Sequence, residues 1–422
     1  MTYPVTIGVT FDFSDGATFG YPLILDDAKN GQIGNNYLGT AVPQIVDISN
    51  QVGKISIKGG YNLLQDQFQT ATLSLRLYDP TGAWNPTSVS SPYYPKLVPL
   101  RKIRVSGTYA GKTQYLFSGY VTAYNYSYTK DQNAVAYVDI DASDGFKLLQ
   151  LANITTVTGA VSGQDTGTRI NAILDQVSWP NGLREITTGG SEAICQADPG
   201  TARTALQAIK NAEFTEQGAF YMDGEGDAIF KSRAYVMATS GQNPTYFSNA
   251  NDGGIAYFGI KFALDDKLII NDATINNVAG TAQRATDAAS TTTYFPHSRN
   301  QTDLVGLTDS NSLNIAKNYV ATRANTSIRI DSITLDLSTT TSAGTTAALA
   351  LDYFNTMRIK NIGQNGTVID KTLQCVGMAY EITPQTFYAT FTTSEPIVGS
   401  FILNSSIYGV IGDPAGLSIL GY

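Results

Sequence analysis

The 422-residue sequence predicts a mainly β protein of several domains, and three observations carry that prediction. The first is length, since a chain of this size exceeds what one hydrophobic core usually organises. The second is composition: 42% hydrophobic, only 15% charged, with 39 glycines among abundant Thr, Ser, Asn and Tyr. β-Branched and aromatic side chains fit a pleated surface, and Gly and Asn fit its reversals, so this mixture describes short strands joined by tight turns. The third is patterning. Apolar residues recur with a period of two along most of the chain, which turns alternate side chains to one face.

Residues 1–150 read almost wholly as strands. QVGKISIKGGYNLL alternates at Ile55 and Ile57, and ATLSLRLYD at Leu73, Leu75 and Leu77. RKIRVSGTYAGKTQYLFSGYV predicts a hairpin that carries Ile103 and Val105 outward, turns at Ala110-Gly111 and returns through Tyr115 and Phe117. Between these runs lies DPTGAWNPTSVSSPYYPKLVP, whose Pro80, Pro86, Pro92, Pro95 and Pro99 exclude helix and predict an extended surface path. VAYVDIDASDGFKLL supplies a further strand, alternating at Val138 and Ile140 and breaking at Asp144-Gly145.

Residues 151–242 change character to an α/β insertion. TGTRINAILDQVSW places Ile170, Ile173, Leu174 and Val177 on one helical stripe, capped by Thr166 or Thr168. GTARTALQAIKNAEF predicts a second helix with Ala205, Leu206 and Ile209 on one face. GAFYMDGEGDAIFKSR then predicts a hairpin turning at Asp223–Gly226.

Residues 243–340 return to strands in KLIINDATINNV and SIRIDSITLDLS, the latter through Ile328, Ile330, Ile333 and Leu335. A short helix lies between them, with Leu313, Ala316 and Val320 on one side. Residues 341–422 open with a helix in TTAALALDYFNTM. They continue as strands separated at Asn365-Gly366 and close in an apolar run.

Charge and motifs exclude several functions. Net charge is −8, and the densest basic stretch, Lys96 to Arg104, has its four cations diluted by apolar residues. Tight duplex binding needs a cationic stripe against the phosphates, so nucleic-acid binding is not expected. An acidic surface would let a polyanion pass without sticking.

The two cysteines, Cys195 and Cys375, lack metal-type spacing and are expected to be free. No basic-then-apolar leader opens the sequence, and no run approaches the roughly 18 to 20 apolar residues that span a bilayer. Synthesis in a bacterial cytoplasm, without stable membrane insertion, is the expectation.

Candidate chemistry is sparse. His297, the only histidine, follows Pro296 in a polar loop without a nucleophile signature, so it reads as a loop residue. Asp223, Glu225 and Asp227 resemble an oxygen-ligand loop, but position 234 is Ala where a calcium loop needs Glu, and a hairpin tip accounts for them better. Asp139, Asp141 and Asp144 could pair carboxylates for glycoside hydrolysis, but Asp139 and Asp141 share a strand face that lies opposite Val138 and Ile140 and is expected to be solvated. Tyr93, Tyr94, Tyr124, Tyr126 and Tyr128 form an aromatic group suited to an interface or a covered sheet face, or alternatively to sugar binding. Trp84 is expected to anchor its loop by burial. No catalytic residue, metal or cofactor is assigned.

The sequence LRLYDPTGAWNPTSVSSPYYPKLVPLRKIRV, followed by LFSGYV and VDIDASDGFKLL, resembles the N-terminal region of minor tail proteins of long-tailed bacteriophages. EQGAFYMDGEGDAIFKSR resembles a hairpin of that family, and FILNSSIYGVIGDPAGLSILGY its ending, with Phe401 where the family has Trp. The residue aligned with the Gly of the family's first "Gly-Arg" is Leu100.

The resemblance implies a tail-tip or baseplate hub with two tube-like β-barrel domains (1–150 and 243–340), the α/β insertion (151–242) and a C-terminal β-domain (341–422). It implies a virion protein that assembles as a homotrimer around a channel for DNA in transit. Its implied partners are the tail tube or distal tail protein, the tape measure protein and tip or fibre proteins. Interface residues would be Trp84, Pro86, Tyr93 and Tyr94 of the proline loop, and Phe401 and Tyr408 of the apolar ending. A receptor- or carbohydrate-binding tip protein and a hexameric distal adaptor are the alternatives. A wall-degrading hydrolase would need two converging carboxylates.

Overall fold

The structure, a computed structural model, describes residues 3–19, 45–127, 136–189, 193–239 and 243–395. Tyr128, Phe401 and Tyr408 lie outside the described residues.

Thirteen strands form one sheet. Seven come from the first part of the chain: β1 (Thr6–Asp12), β2 (Ile45–Asp47), β3 (Val52–Asn62), β4 (Gln67–Tyr78), β5 (Lys102–Tyr109), β6 (Lys112–Ser127) and β7 (Tyr137–Ser143). Six come from the last part: β8 (Thr245–Ser248), β9 (Gly259–Ala263), β10 (Arg329–Asp336), β11 (Thr356–Ile362), β12 (Val368–Ile382) and β13 (Phe387–Ser394). The order is β9-β10-β13-β12-β3-β4-β7-β6-β5-β1-β2, with β11 also on β12 and β8 on β11.

Local sequence explains the strands. In β4, Leu73, Leu75 and Leu77 are buried while Ser74 and Arg76 are exposed, so one face is apolar and the other polar. The β5–β6 hairpin turns where expected, with Ala110 and Gly111 at φ 49° and 77°, the left-handed pair that a two-residue hairpin turn requires.

The mainly β, multidomain architecture is as the sequence predicts, but the two strand sets are not separate barrels. Among the described residues the sheet follows an open path, and β3 pairs antiparallel with β12 from Ile55↔Ile382 to Gly60↔Gly377. One core crosses this seam, joining Ile57, Leu75 and Val105 to Ile333, Met357, Phe387 and Phe391. The expected boundary at 340 is therefore not a boundary of sheets: β10 lies before it, yet it pairs with β13 beyond it. A strand's partner depends on which distant segment completes its buried face, and a single strand's pattern does not carry that information.

Two α/β modules dock on this sheet. The first holds α1 (Phe146–Leu151), α2 (Thr166–Gln176), α3 (Ala205–Glu216) and the hairpin Ala219–Met222/Ala228–Lys231. Its core includes Phe146, Ile170, Ile173, Leu174, Ile209, Phe220 and Phe230. The cap of α2 is Asp165, whose carboxylate accepts from the Thr168 N–H at 2.9 Å, and not Thr166 or Thr168. A charged acceptor also complements the helix dipole.

The second module was not expected. Strand Asp272–Asn277 lies between Gln283–Thr286 and Ser298–Leu304, backed by α4 (Asp309–Arg323). Its core is Ala273, Ile275, Leu304, Ile315, Ala316 and Tyr319. The buried face of α4 thus runs through Ser312, Ile315, Ala316, Tyr319 and Val320, with Leu313 at its margin. A last helix, α5 (Ser342–Ala350), covers part of β5 and β6.

Candidate functional site

The proline loop between β4 and β5 is built from consecutive turns, and its path is not extended. Backbone N–H groups of Gly82, Asn85, Ser88, Ser91 and Tyr94 each donate to the carbonyl three residues back, at 3.0–3.3 Å. Pro80, Pro86 and Pro92 each take the second position of such a turn, behind Asp79, Asn85 and Ser91. That position wants φ near −65° and needs no N–H, which is what proline offers.

The loop is fastened from below. Asp79 is buried and accepts from the Ala83 and Trp84 N–H groups at 2.8 and 3.1 Å. Trp84 is 0% exposed. Its ring meets Phe11 at 5.2 Å and Tyr93 at 4.8 Å, and its Nε1 donates to Gln51 Oε1 at 3.0 Å.

The Trp84 ring is therefore buried within the chain, where it supports the loop. Tyr93, partly buried, stacks on Phe13. Pro86 is half-buried, whereas Val89 and Tyr94 are 78% and 46% exposed, and Val98 and Leu100 are also exposed. Tyr124 and Tyr126 stack together at 6.5 Å, and the Tyr124 hydroxyl donates to the Val98 carbonyl at 3.1 Å. These two tyrosines form part of the loop's bed.

The basic stretch beside the loop is also spent internally. Lys102, 1% exposed, donates to Ser14 Oγ and the Thr18 carbonyl at 2.6 and 2.8 Å and lies 3.5 Å from Asp12. Arg101 donates to Lys96 and Ser14 carbonyls, and Arg104 lies over the Phe19 and Tyr115 rings. Burial pushes the Lys102 ammonium below its ordinary range. Three of the four cations thus secure residues 12–19 or pack on rings, and no phosphate-binding stripe results.

The candidate catalytic groups have structural partners. Asp139 makes a two-point ion pair with Arg76 at 2.8 Å, and Asp141 accepts from Asn125 Nδ2 at 2.9 Å. Asp223 Oδ1 accepts from the N–H groups of Gly226 and Asp227 at 2.9 and 2.8 Å, which makes the DGEGD stretch a hairpin tip. His297 Nε2 lies 3.1 Å from the Tyr294 carbonyl, and the His297 N–H donates to Asn271. Cys195 and Cys375 are free and buried, their thiols pushed up to about 11 and about 12 by desolvation.

A cleft of about 460 Å³ opens where the sheet and both modules meet. Its lining carboxylates are already paired: Asp66 with Arg323 and Arg299, Glu213 with Lys210, Asp265 with Arg329, and Glu395 with Lys371.

A smaller cavity of about 200 Å³ is lined by Asp144, Asp223, Glu225 and Asp352. Asp144 accepts the Ala71 and Phe146 N–H groups at 2.7 and 3.0 Å, and Asp352 accepts the Tyr353 N–H at 2.7 Å. Burial pushes the Asp144 carboxyl up to about 7 and raises Asp352 as well. The sequence marks Asp144 as the end of a strand and as one of three carboxylates that could pair for glycoside hydrolysis, but not as a buried group. Its place before a Gly at a strand-to-helix junction was the available signal.

No protein-family model matches the chain, and no curated protein matches its sequence. Solved structures match its fold. The tail protein from Neisseria meningitidis MC58 superposes with a TM-score of 0.55 at 10% identity, covering 93% of this chain and 97% of that one. The 43 kDa tail protein of prophage MuSo2 from Shewanella oneidensis superposes with a TM-score of 0.50 at 11% identity, covering 85% and 97%. The chain has the fold of these phage tail proteins.

Proposed function

We propose that this chain is a structural hub subunit of a phage tail tip or baseplate. It joins the tail tube to the tip or its fibres around a central channel for DNA. The observation that carries the reading is the end-to-end fold likeness to the Neisseria tail protein, which spans 93% of one chain and 97% of the other. An inserted catalytic domain or an unrelated half would have broken that coverage.

Three features of the chain support it. The proline loop carries exposed Val89, Tyr94, Val98 and Leu100 on a rigidly fastened base, which suits a contact surface ordered before assembly. A net charge of −8 suits a passage for DNA more than a grip on it. The carboxylates facing the 460 Å³ cleft are held in ion pairs, an arrangement suited to holding domains together.

In this reading the protein is a homotrimer in the virion, and its neighbours are the tail tube or distal tail protein, the tape measure protein and tip or fibre proteins. Mass photometry and negative-stain microscopy of the purified protein test it. The expected result is a threefold particle with a central opening, and a protein that stays monomeric at micromolar concentration, or meets without an opening, would overturn it.

A further inference from the structure

The cleft of about 460 Å³ has a wall of mixed character. Leu268, Phe354, Leu373 and Val376 give it apolar surface, and Asn318 and Gln374 add amides. Its carboxylates are held in ion pairs, so none is left to attract a cation. One polar group in the wall is unsatisfied. Gln374 is 1% exposed, and its Nε2 has no hydrogen-bond partner among the described residues. A buried amide donor without an acceptor is uncommon and destabilising, and the carbonyl of an entering peptide segment would satisfy it.

The chain itself arrives at this cleft. β13 ends at Ser394, and Thr393, Ser394 and Glu395 are part of the lining. Lys371 Nζ donates to Glu395 Oε1 and to the Ile328 carbonyl, each at 2.6 Å. The last described residue is thereby fixed beside Ile328, whose side chain is exposed. Residues 396–422 follow, and Asp413 is the one charged residue among them. They open with PIVGSFIL. Pro396 has no N–H with which to continue a ladder, and Ile397, Val398, Phe401, Ile402 and Leu403 are apolar.

We propose that the cleft is the seat of the chain's own C-terminal run, with residues 396–403 laid into it. Its volume lies within the range of about 300–1,000 Å³ that holds a drug-sized ligand, enough for a few side chains of the run. A segment already attached at the cleft enters without the loss of translational freedom that a separate partner undergoes. Docking takes the partly exposed Leu268 and Phe354 out of water and offers Gln374 an acceptor. It also straps both modules to the sheet. The inference is independent of the hub reading, since it holds for a subunit of any oligomeric state.

The test places a benzophenone photo-crosslinker at Phe401 of the whole chain and maps the products by peptide mass spectrometry and denaturing electrophoresis. The proposal expects linked peptides that carry Leu268, Phe354 or the stretch from Leu373 to Val376, in material that still runs as a single chain. Links confined to other surfaces, links that double the chain mass, or no link at all would overturn it.

A second measurement carries no bulky probe. In the whole chain with Phe401→Asp and Ile402→Asp together, amides of residues 265–270 and 318–327 should exchange at least about tenfold faster than in wild type, while β5 and β6 keep their protection. Equal exchange in the two proteins would show that the run does not occupy the cleft.

Discussion

Asp144 shows how one side chain couples the parts of this molecule. It closes β7, receives a backbone N–H from β4 and another from the start of α1, and lies near Lys210 of the first module. Lys210 itself pairs with Glu213 at 2.8 Å beneath the Phe146 ring. Burial is the largest influence on all three, holding Asp144 and Glu213 up and Lys210 down. A carboxyl raised to about 7 keeps its proton in the folded chain while the unfolded chain has already lost it. Stability from this group is therefore full below about pH 4, falls as pH rises towards 7, and is level above that, a change on the order of 4 kcal/mol. Urea unfolding from pH 4 to 8 should show Asp144→Asn gaining on wild type as pH rises. A constant difference across that range would refute the assignment.

Among the elements, the seam between β3 and β12 makes a strict steric demand. Gly60 sits at φ 147°, and a Cβ there would lie 2.5 Å from the Gly377 Cα and 2.8 Å from the Val376 carbonyl oxygen. Backbone cannot yield as a side chain tip can, so Gly60→Ala should cost about 2 kcal/mol or more. The loss should appear in chemical denaturation as a lower midpoint, whereas Gly111→Ala, where a Cβ meets open space, should lose only the cost of its turn. Similar losses at both sites would mean that the close approach at the seam is not limiting. β10 explains an odd pattern in the sequence: Ile330 and Ile333 are both buried although their spacing breaks the alternation, because the pairing with β9 slips by one residue between them.

The whole molecule is a sheet with two modules, and its joints are electrostatic as well as apolar. At the β3–β4 hairpin, Asp66 is held by Arg323 through two contacts, one of them 3.1 Å, and by Arg299 at 3.7 Å. Arg299 also donates to the Gln65 carbonyl at 3.0 Å. Both arginines belong to the second module, so this cluster locks that module to the hairpin. Removing one partner of a buried pair costs about 3–5 kcal/mol because the remaining charge stays out of water. Arg323→Ala should therefore raise amide hydrogen exchange across residues 269–324 roughly a hundredfold while β4 to β7 keep their protection. An equal rise everywhere would show global weakening in place of a loosened joint.

The sequence by itself determined the strand-rich class, the β5–β6 hairpin, helices α2 and α3 and the Asp223 hairpin tip. Each of these rests on residues within one turn or one strand of each other, where periodicity and turn chemistry act directly. The turns of the proline loop are legible too, since Asp-Pro, Asn-Pro and Ser-Pro pairs spell them, whereas proline's exclusion from helix alone does not tell a turn from an extended path. Only the tertiary structure decided that the two strand sets share one sheet, that residues 272–323 form a second module, and that Asp144 and Asp66 are buried at joints. Those outcomes depend on partners tens to hundreds of residues away. An edge accepts any strand whose side chains complete its core, and a charge is drawn inside only where a distant group meets it.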